Sequence, residues 1–344
     1  MGSPSVEFEG AFVDSREPVD DGLFVGVRGE AADGGTYAPE ALRRGAAAAV
    51  VGESAWRWIE GEVVGLGKPI VVAPDPLEVL QAAGRLALER SGAQVVGITG
   101  ATGKTTTKDI LVAMLGAAAV SSQGTPGNRN TEVGVPLSLL ELAEGTEVAV
   151  VEMGMRGLGQ IAELTRLAPP DVGCITAIGP VHLELLGTVE NVAAAKAELL
   201  QGLRPGGAAV VPAGEPLLAP YVQTLDSEVR VFQFGDRPDI DLDLNLTLPW
   251  QLRNAAAAFA CCRALGVEIE PGTRVEVELS PMRGAERLLA GGGTLIEDCY
   301  NANPIAMEAA LADLGAREGR KVAILADMME LGPEEAAYHR EVGR

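Results

Sequence analysis

Residues 95–107 read Val95-Val96-Gly97-Ile98-Thr99-Gly100-Ala101-Thr102-Gly103-Lys104-Thr105-Thr106-Thr107. An apolar run is followed by a glycine-rich turn, and a helical pattern begins at Lys104. Because Gly100 and Gly103 have no side chain, successive backbone N–H groups can surround phosphate oxygens at the N-terminus of the helix. In such a loop the lysine contacts the β- and γ-phosphates, and the next hydroxyl, here that of Thr105, binds Mg²⁺. The strict P-loop pattern has a glycine in place of Ile98, so the stretch predicts a shortened phosphate-binding loop. An ordinary strand–turn–helix connection is the alternative.

The composition limits the class of protein. A length of 344 residues is typical of two or three domains, and 47% hydrophobic residues with few aromatics favour an α/β protein. The net charge of −21 argues against a nucleic-acid partner, so an anionic substrate must meet local basic groups. With no membrane-length apolar run and no leader pattern, we expect a cytoplasmic protein without a membrane partner. The four cysteines lack CxxC spacing, which favours reduced, mostly buried thiols over a zinc site.

Alternating strand and helix patterns predict three consecutive domains. The first covers residues 1–92, with predicted strands at 5–8, 22–27, 46–51 and 70–72 and helices at 39–45 and 76–90. The second covers 93–280, with strands at 95–99, 147–152, 172–177 and 208–212 and helices at 104–117, 135–141, 159–167, 189–202 and 254–265, as a doubly wound parallel sheet requires. The third covers 281–344, with strands at 293–298 and 321–326 and helices at 304–314 and 333–342. Because two strands alone leave an exposed sheet edge, we expect this domain to be incomplete.

Two candidate metal ligands follow neighbouring strands. Glu152 ends an apolar strand, and an acid at the end of the strand beside a P-loop is the usual completion of the Mg²⁺ shell. A solvent-facing strand-end glutamate is the alternative. His182 follows the next strand and is a candidate for a second metal site, or else a surface or helix-cap residue.

Further polar residues favour a substrate site less directly. The loop 125–132 is rich in side-chain donors, which suits a polar substrate, although turn chemistry explains the same residues. Lys196 is a single lysine in an alanine-rich helix, which by itself is typical of a solvated helix face.

The predicted third domain adds candidates for nucleotide binding. Asp298 could accept hydrogen bonds from ribose hydroxyls, and Asn301 and Asn303 could line a base pocket. A helix start rich in Asn and Asp would give the same residues. Arg283 is the arginine best suited to clamp a phosphate across a domain cleft.

Taken in order, these segments resemble the Mur ligases, the ATP-dependent amino-acid and peptide ligases of bacterial cell-wall precursor synthesis. The run 99–106 is similar to their P-loop. Four more segments are similar to the members that use D-alanyl-D-alanine: Gly127-Asn128-Arg129-Asn130 with Gly134-Val135-Pro136, Glu152-Met153-Gly154-Met155, Tyr300-Asn301-Ala302-Asn303-Pro304 and Ala326-Asp327-Met328-Met329-Glu330-Leu331-Gly332. The run 300–304 discriminates best, because sister ligases carry other residues there.

The resemblance implies an architecture and an activity. The architecture is a small α/β domain that binds a UDP-linked substrate, a central P-loop ATPase domain with a parallel sheet, and a Rossmann-like C-terminal domain. The activity is ATP-dependent amide formation that joins D-alanyl-D-alanine to UDP-N-acetylmuramoyl-tripeptide through an acyl phosphate, in peptidoglycan synthesis, by a cytoplasmic monomer. Another ligase of the superfamily, a sister Mur ligase or one like folylpolyglutamate synthase, remains an alternative. A P-loop regulator that joins no substrates is a second one.

The resemblance also implies roles for single residues. Those expected to bind ATP are Gly100, Ala101, Thr102, Gly103, Lys104, Thr105, Thr106, Asn254, Arg283, Asp298 and Asn301. Two Mg²⁺ ions are expected at Thr105, Glu152, His182 and Lys196, with Lys196 carried as a carbamate. The residues expected to bind the UDP-linked peptide are Ser15, Arg16, Arg28, Asn130 and Thr131. The expected catalytic residues are Lys104, Glu152, His182, Lys196 and Arg283.

Overall fold

The computed structural model describes residues 6–344, which form two compact units. One unit holds the chain up to Gly92 together with Glu132–Glu144. The other holds Ala93–Thr131 and Gly145–Arg344. No helix in the described part of the chain is long and apolar enough to cross a membrane.

The described elements are as follows. The strands are β1 (Ala11–Phe12), β2 (Leu23–Val25), β3 (Ala48–Gly52), β4 (Ile70–Ala73), β5 (Gln94–Thr99), β6 (Ser122–Gly124), β7 (Val148–Glu152), β8 (Val172–Ile175), β9 (Ala208–Pro212), β10 (Arg230–Phe234), β11 (Asp243–Leu244), β12 (Arg274–Val275), β13 (Ala285–Leu288) and β14 (Thr294–Glu297). The α-helices are α1 (Ala38–Arg43), α2 (Glu53–Val63), α3 (Pro76–Ser91), α4 (Lys104–Ala117), α5 (Gly134–Leu140), α6 (Gln160–Leu167), α7 (Leu183–Leu186), α8 (Val189–Gln201), α9 (Ala219–Gln223), α10 (Pro249–Leu265), α11 (Pro304–Ala316) and α12 (Glu335–Val342). Short 3₁₀ turns lie at Gly34–Tyr37, Val64–Leu66 and Gly332–Glu334.

The first unit is built on a parallel sheet with strand order β1-β2-β3-β4. Its core includes Phe12 and Phe24, whose ring centroids lie 5.5 Å apart. Helix α5 packs against α3 in the same unit. A Cβ at Gly84 would lie 2.8 Å from Cα of Pro136, so this close approach of the two helices requires glycine.

The second unit is built on a six-stranded parallel sheet with strand order β10-β9-β8-β5-β7-β6. Strand β5 lies between β7 and β8, with Ile98 opposite Glu152 and Thr99 opposite Ile175. Because the three strands are parallel and in this register, their carboxyl ends meet at one edge of the sheet, which is where open α/β sheets bind ligands. The α/β class and the parallel central sheet are therefore confirmed.

Helix α4 begins at Lys104 and ends at Ala117, as predicted, and it packs against α10. Its core face holds Ile110, Leu111 and Met114. Helix α10 begins at Pro249, earlier than the predicted residue 254. A proline favours the first turn of a helix, because its missing N–H would be unpaired there anyway.

Two predicted strands are wrong. In the run 321–326 all residues are exposed, and none lies in a strand or pairs with a strand of the described chain. Residues 6–8 of the predicted strand 5–8 are also not in a strand, and Ser5 lies outside the described residues. Helix α2 was not predicted, although Ala55, Ile59 and Val63 form its buried stripe.

The cysteines follow the expectation of mostly buried, reduced thiols. Cys174, Cys261 and Cys262 are buried and free, and Cys299 is free and exposed.

Candidate functional site

The glycine turn after β5 is held by the segment that follows β8. The Thr176 hydroxyl donates to the carbonyl of Thr102, and the Ala101 N–H donates to the carbonyl of Ala177 over 2.8 Å. A Cβ on Gly100 would collide with the Thr176 hydroxyl. Gly103 has a φ of +83°, and a Cβ there would collide with the side-chain amide of Asn254. The two glycines are therefore required by the shape of the turn as well as by any phosphate bound inside it.

Glu152 is buried at the end of β7, with only 2% of the residue exposed. One carboxylate oxygen accepts the Thr105 hydroxyl over 2.8 Å, and the other accepts the Asn130 side-chain amide over 2.8 Å. The backbone N–H of Glu152 donates to the Thr125 hydroxyl over 3.1 Å. The alternative of a solvent-facing glutamate is therefore wrong. The structure joins three sequence-predicted site residues, Thr105, Asn130 and Glu152, in one cluster.

Two cations, Lys104 and Arg283, contact the turn and the first residues of α4. The Lys104 ammonium donates to the carbonyl of Gly100 over 3.0 Å, and Nη2 of Arg283 donates to the Thr105 hydroxyl over 3.2 Å. The Arg283 guanidinium lies 3.9 Å from the centroid of the Tyr300 ring, which is a cation–π contact. Burial lowers the pKa of Lys104; Glu152 opposes this effect and Arg283 adds to it. The site thus concentrates positive charge in a protein that is acidic overall.

Lys196 and His182 lie close enough to this cluster for the charge of Lys104 to lower their pKa values. Lys196 is 2% exposed on α8, and burial lowers its pKa well below the ordinary value, with a further contribution from Lys104. The alternative of a solvated helix face is therefore wrong. Nδ1 of His182 contacts the carboxylate of Glu330. Burial lowers the pKa of His182, Glu330 opposes the shift, and Lys196 and Lys104 add to it. His182 also occupies the N-cap position of α7 without a side-chain capping bond.

Comparison with known proteins places this arrangement in a family. Family models described as "Mur ligase middle domain" and "Mur ligase, glutamate ligase domain" match residues 98–262 and 285–344. The UDP-N-acetylmuramoyl-tripeptide--D-alanyl-D-alanine ligase of Bacillus subtilis is 32% identical over 97% of this chain and 76% of its own length. The chain belongs to the Mur ligase family. Its fold matches MurF of Acinetobacter baumannii with a TM-score of 0.84, at 28% identity over 97% of this chain and 77% of that one. The fold also matches that of MurF of Thermotoga maritima in complex with ADP, with a TM-score of 0.81. The identity is 29%, over 97% of this chain and 81% of that one.

Of the remaining nucleotide candidates of this Mur ligase, Asn254 lies at the turn. Asn254 on α10 is buried beside Gly103. Burial raises the pKa of Asp298, and Arg283 opposes the shift. Asn301 is exposed and its side-chain oxygen accepts from the N–H of Ala302 over 2.8 Å. Asn303 caps α11 by accepting from the Ala306 N–H over 3.0 Å, so its interpretation as a helix-start residue is confirmed.

The candidates in the first unit form a separate set. Ser15 is buried, and Arg16 donates to the Asp14 carboxylate from Nε over 2.9 Å and from Nη2 over 2.6 Å. These hydrogen bonds lower the pKa of Asp14 to about 2. Arg28 forms an isolated β-bridge with Asp33. Thr131, the other peptide-binding candidate, is exposed and belongs to the second unit.

Sequence reasoning missed several supporting residues. Lys108 is buried on α4 and donates to the carbonyl of Thr125 over 2.9 Å, while the Thr125 hydroxyl accepts from Glu152. Lys108 lies one helical turn after Lys104, a spacing that could have suggested a role. Thr176 gave no local signal, because its importance comes from the turn it holds. The Glu330 contact joins residues 148 positions apart and has no local signature.

The donor set near the turn suits magnesium held together with a phosphate. Within residues 6–344 no group of three or more His, Cys, Asp or Glu side chains could hold a metal ion. Thr105 and Glu152 instead offer one hydroxyl and one carboxylate oxygen side by side. Mg²⁺ prefers oxygen ligands and usually combines one or two carboxylates with waters and substrate phosphates. The residues therefore fit a nucleotide-bound Mg²⁺ better than a cage made by the protein alone.

Proposed function

We propose that this Mur ligase joins D-alanyl-D-alanine to UDP-N-acetylmuramoyl-tripeptide, with cleavage of ATP to ADP and phosphate. Curated relatives that are named for this reaction align with nearly the whole chain. The structural observation that supports the proposal is the linked series of Arg283, Thr105 and Glu152 beside Lys104. It combines cations with an oxygen ligand for Mg²⁺ at a turn shaped for phosphates.

The reaction needs no nucleophile from the protein. The terminal carboxylate of the tripeptide attacks the γ-phosphorus of ATP, which gives an acyl phosphate and ADP. The amine of D-alanyl-D-alanine then attacks the acyl carbon, and phosphate leaves. Catalysis therefore rests on positioning and on neutralising charge. Lys104 and Arg283 neutralise charge on the phosphates. A nearby triphosphate raises the pKa of Lys104 and so favours its charged form.

Two Mg²⁺ ions complete the proposed site. Thr105 and Glu152 would hold the first, and His182 with Lys196 would hold the second; when bound, the ions would supply positive charge to phosphate oxygens. Lys196 acts as a carbamate. Because burial favours its neutral amine, the nitrogen can attack CO₂: an N–C bond forms as one C=O π bond of CO₂ opens, one N–H proton leaves, and the neutral amine becomes an anionic carbamate.

The other proposed roles follow the family resemblance. Residues 1–92 bind the UDP-linked substrate through Ser15, Arg16 and Arg28, while Asn130 and Thr131 face its peptide. Residues 93–280 bind ATP, and residues 281–344 complete the nucleotide site. In that site Asp298 contacts the ribose, and Asn254 with Asn301 lies near the adenine. Because the proposed substrates are ATP and a UDP-linked peptide, we propose that the protein acts in the cytoplasm, and that it does so as a monomer.

A coupled assay of ADP release tests the proposal. ADP should form with ATP, Mg²⁺, the UDP-linked tripeptide and D-alanyl-D-alanine together, and ligated product should appear in equal amount. Reactions that lack either acceptor substrate, and reactions with single amino acids in place of the dipeptide, serve as controls. ADP release that requires neither substrate would indicate a nucleotide-hydrolysing regulator, and preference for another amino acid would indicate a sister ligase.

A further inference from the structure

The segment 328–332 is docked on the residues that follow strand β8. The carbonyl of Glu330 accepts the backbone N–H of Glu184 over 3.1 Å. Met328 and Leu331, on either side of Glu330, are each 1% exposed. Gly332 packs closely on the same residue, since a Cβ added to it would lie 3.3 Å from Cα of Glu184. The segment is therefore held by main-chain and buried apolar contacts, which fix where the Glu330 side chain can reach.

The Glu330 carboxylate meets His182 at one ring nitrogen only. One carboxylate oxygen contacts Nδ1 of His182, and the other lies 3.7 Å from Nε of Arg156. His182 and Glu330 both have left-handed backbones, with φ of +53° and +63°. Non-glycine residues rarely adopt this conformation, and they do so where surrounding contacts hold them. The backbones at both ends of this contact are thus held by their surroundings.

The contact decides which nitrogen of a neutral His182 carries the proton. A neutral imidazole has one N–H donor and one nitrogen with a lone pair, and a carboxylate can only accept. With Glu330 at Nδ1, the proton lies on Nδ1 and the lone pair on Nε2. Metal-binding histidines in proteins commonly have this arrangement, with the far nitrogen bonded to a carboxylate.

We propose that Glu330 is a positioning residue: it holds His182 as the Nδ1–H tautomer and so presents Nε2 to a divalent cation. This inference rests on the role of His182 in the proposed function. Glu330 comes from the C-terminal part of the chain, 148 positions after His182. Cation binding at His182 and docking of the segment 328–332 therefore favour each other, since each stabilises the state that the other requires.

Nitrogen NMR of the ¹⁵N-histidine-labelled full chain tests the tautomer directly, because the chain has only two histidines. The second, His339, is an internal reference. Its Nε2 accepts from the Met328 N–H over 3.0 Å, and its Nδ1 faces the carbonyl of Glu335, so it reports whether the segment is still docked. Spectra are recorded well above the ordinary histidine pKa of about 6.5.

Wild-type His182 should show a protonated Nδ1. Glu330→Ala should move the proton to Nε2, whereas Glu330→Gln should keep it on Nδ1, because the amide oxygen still accepts. Glu334→Ala, which removes an exposed carboxylate nearby, should change neither histidine. If Glu330→Ala also disturbs His339, the tautomer of His182 in Glu330→Gln is the test. A protonated Nδ1 there supports the proposal, and a protonated Nε2 with His339 unchanged overturns it. An Nε2–H tautomer in wild type, or no tautomer difference between wild type and Glu330→Ala when His339 is unchanged, overturns the proposal.

Paramagnetic Mn²⁺ with a non-hydrolysable ATP analogue tests the consequence. Mn²⁺ should broaden the His182 signal in wild type and Glu330→Gln, and its apparent affinity should fall about 10-fold or more in Glu330→Ala. Equal Mn²⁺ affinity in wild type and Glu330→Ala, or no broadening of His182 in wild type, overturns the proposal. The ADP-release assay is separate, so loss of ligation with intact NMR behaviour would refute the proposed function and leave the role of Glu330 standing.

Discussion

Thr105 and Thr107 offer a matched pair of substitutions in one helix turn. Both are buried threonines on α4, and valine has nearly the same shape. The Thr105 hydroxyl donates to the Glu152 carboxylate over 2.8 Å and accepts from Arg283 over 3.2 Å. The buried Thr107 hydroxyl has no hydrogen-bond partner in the described chain. Only Thr105→Val therefore removes polar contacts.

The expected cost follows from what Thr105→Val leaves behind. Glu152 loses one of its two side-chain donors and keeps Asn130. Loss of a hydrogen bond to a buried charged group costs about 1.5–3 kcal/mol, so the free energy of unfolding should fall by about that much without nucleotide. Thr107→Val leaves no partner unpaired and removes a buried hydroxyl, so it should be neutral or slightly stabilising. Since Thr105 is also the proposed Mg²⁺ ligand, its variant should lose about 100-fold or more in kcat/KM for ATP.

Urea unfolding without nucleotide and ADP-release kinetics at several Mg²⁺ concentrations measure both effects. The reasoning is refuted if Thr105→Val is as stable as wild type, or if Thr107→Val loses as much stability as Thr105→Val. Unchanged kcat/KM and Mg²⁺ dependence in Thr105→Val would remove its proposed role.

Three further predictions concern the cations and the thiols. Arg283→Ala should lower kcat for ADP release by about 100- to 1,000-fold, because the proposed phosphate site loses one positive charge. Its control, Arg287→Ala, removes only an exposed ion pair and should stay within about twofold of wild type; equal losses would contradict the assignment. Lys196→Ala should be inactive and partly rescued by short carboxylic acids, whereas wild-type turnover would end the carbamate proposal. Burial raises the pKa of Cys262 to about 12 from the unfolded value of about 9, so above pH 9 the unfolded state binds fewer protons than the folded one. The contribution of this thiol to the free energy of unfolding should therefore fall by about 1.4 kcal/mol per pH unit between these values. Urea midpoints of Cys262→Ala should fall less steeply with pH, and an identical slope would show that this thiol is not buried.

The features that could be predicted from sequence are those set by neighbouring residues. The boundary between β5 and α4 was predicted within one residue, because an apolar run, two glycines and strong helix formers are adjacent. Glu152 could be placed because it ends an apolar run. Its contacts with Asn130 and Thr125 could not be identified, because those residues lie in a loop whose path depends on tertiary packing.

The features that could not be predicted depend on tertiary contacts. Lys196 has the local pattern of an exposed helix face, and only packing around α8 buries it. The Glu330–His182 contact requires the docking of a distant segment. The run 321–326 shows the opposite error, since its local pattern favours a strand but a strand needs a neighbour to pair with.

A crystal structure with Mn²⁺ and a non-hydrolysable ATP analogue tests the central claim most directly. The account predicts triphosphate density inside the turn 100–105, with an anomalous Mn²⁺ peak in contact with Thr105 and Glu152 and with Arg283 turned toward the γ-phosphate. Nucleotide density elsewhere on the protein, with the turn empty and the Thr105–Glu152 hydrogen bond unchanged, would contradict it.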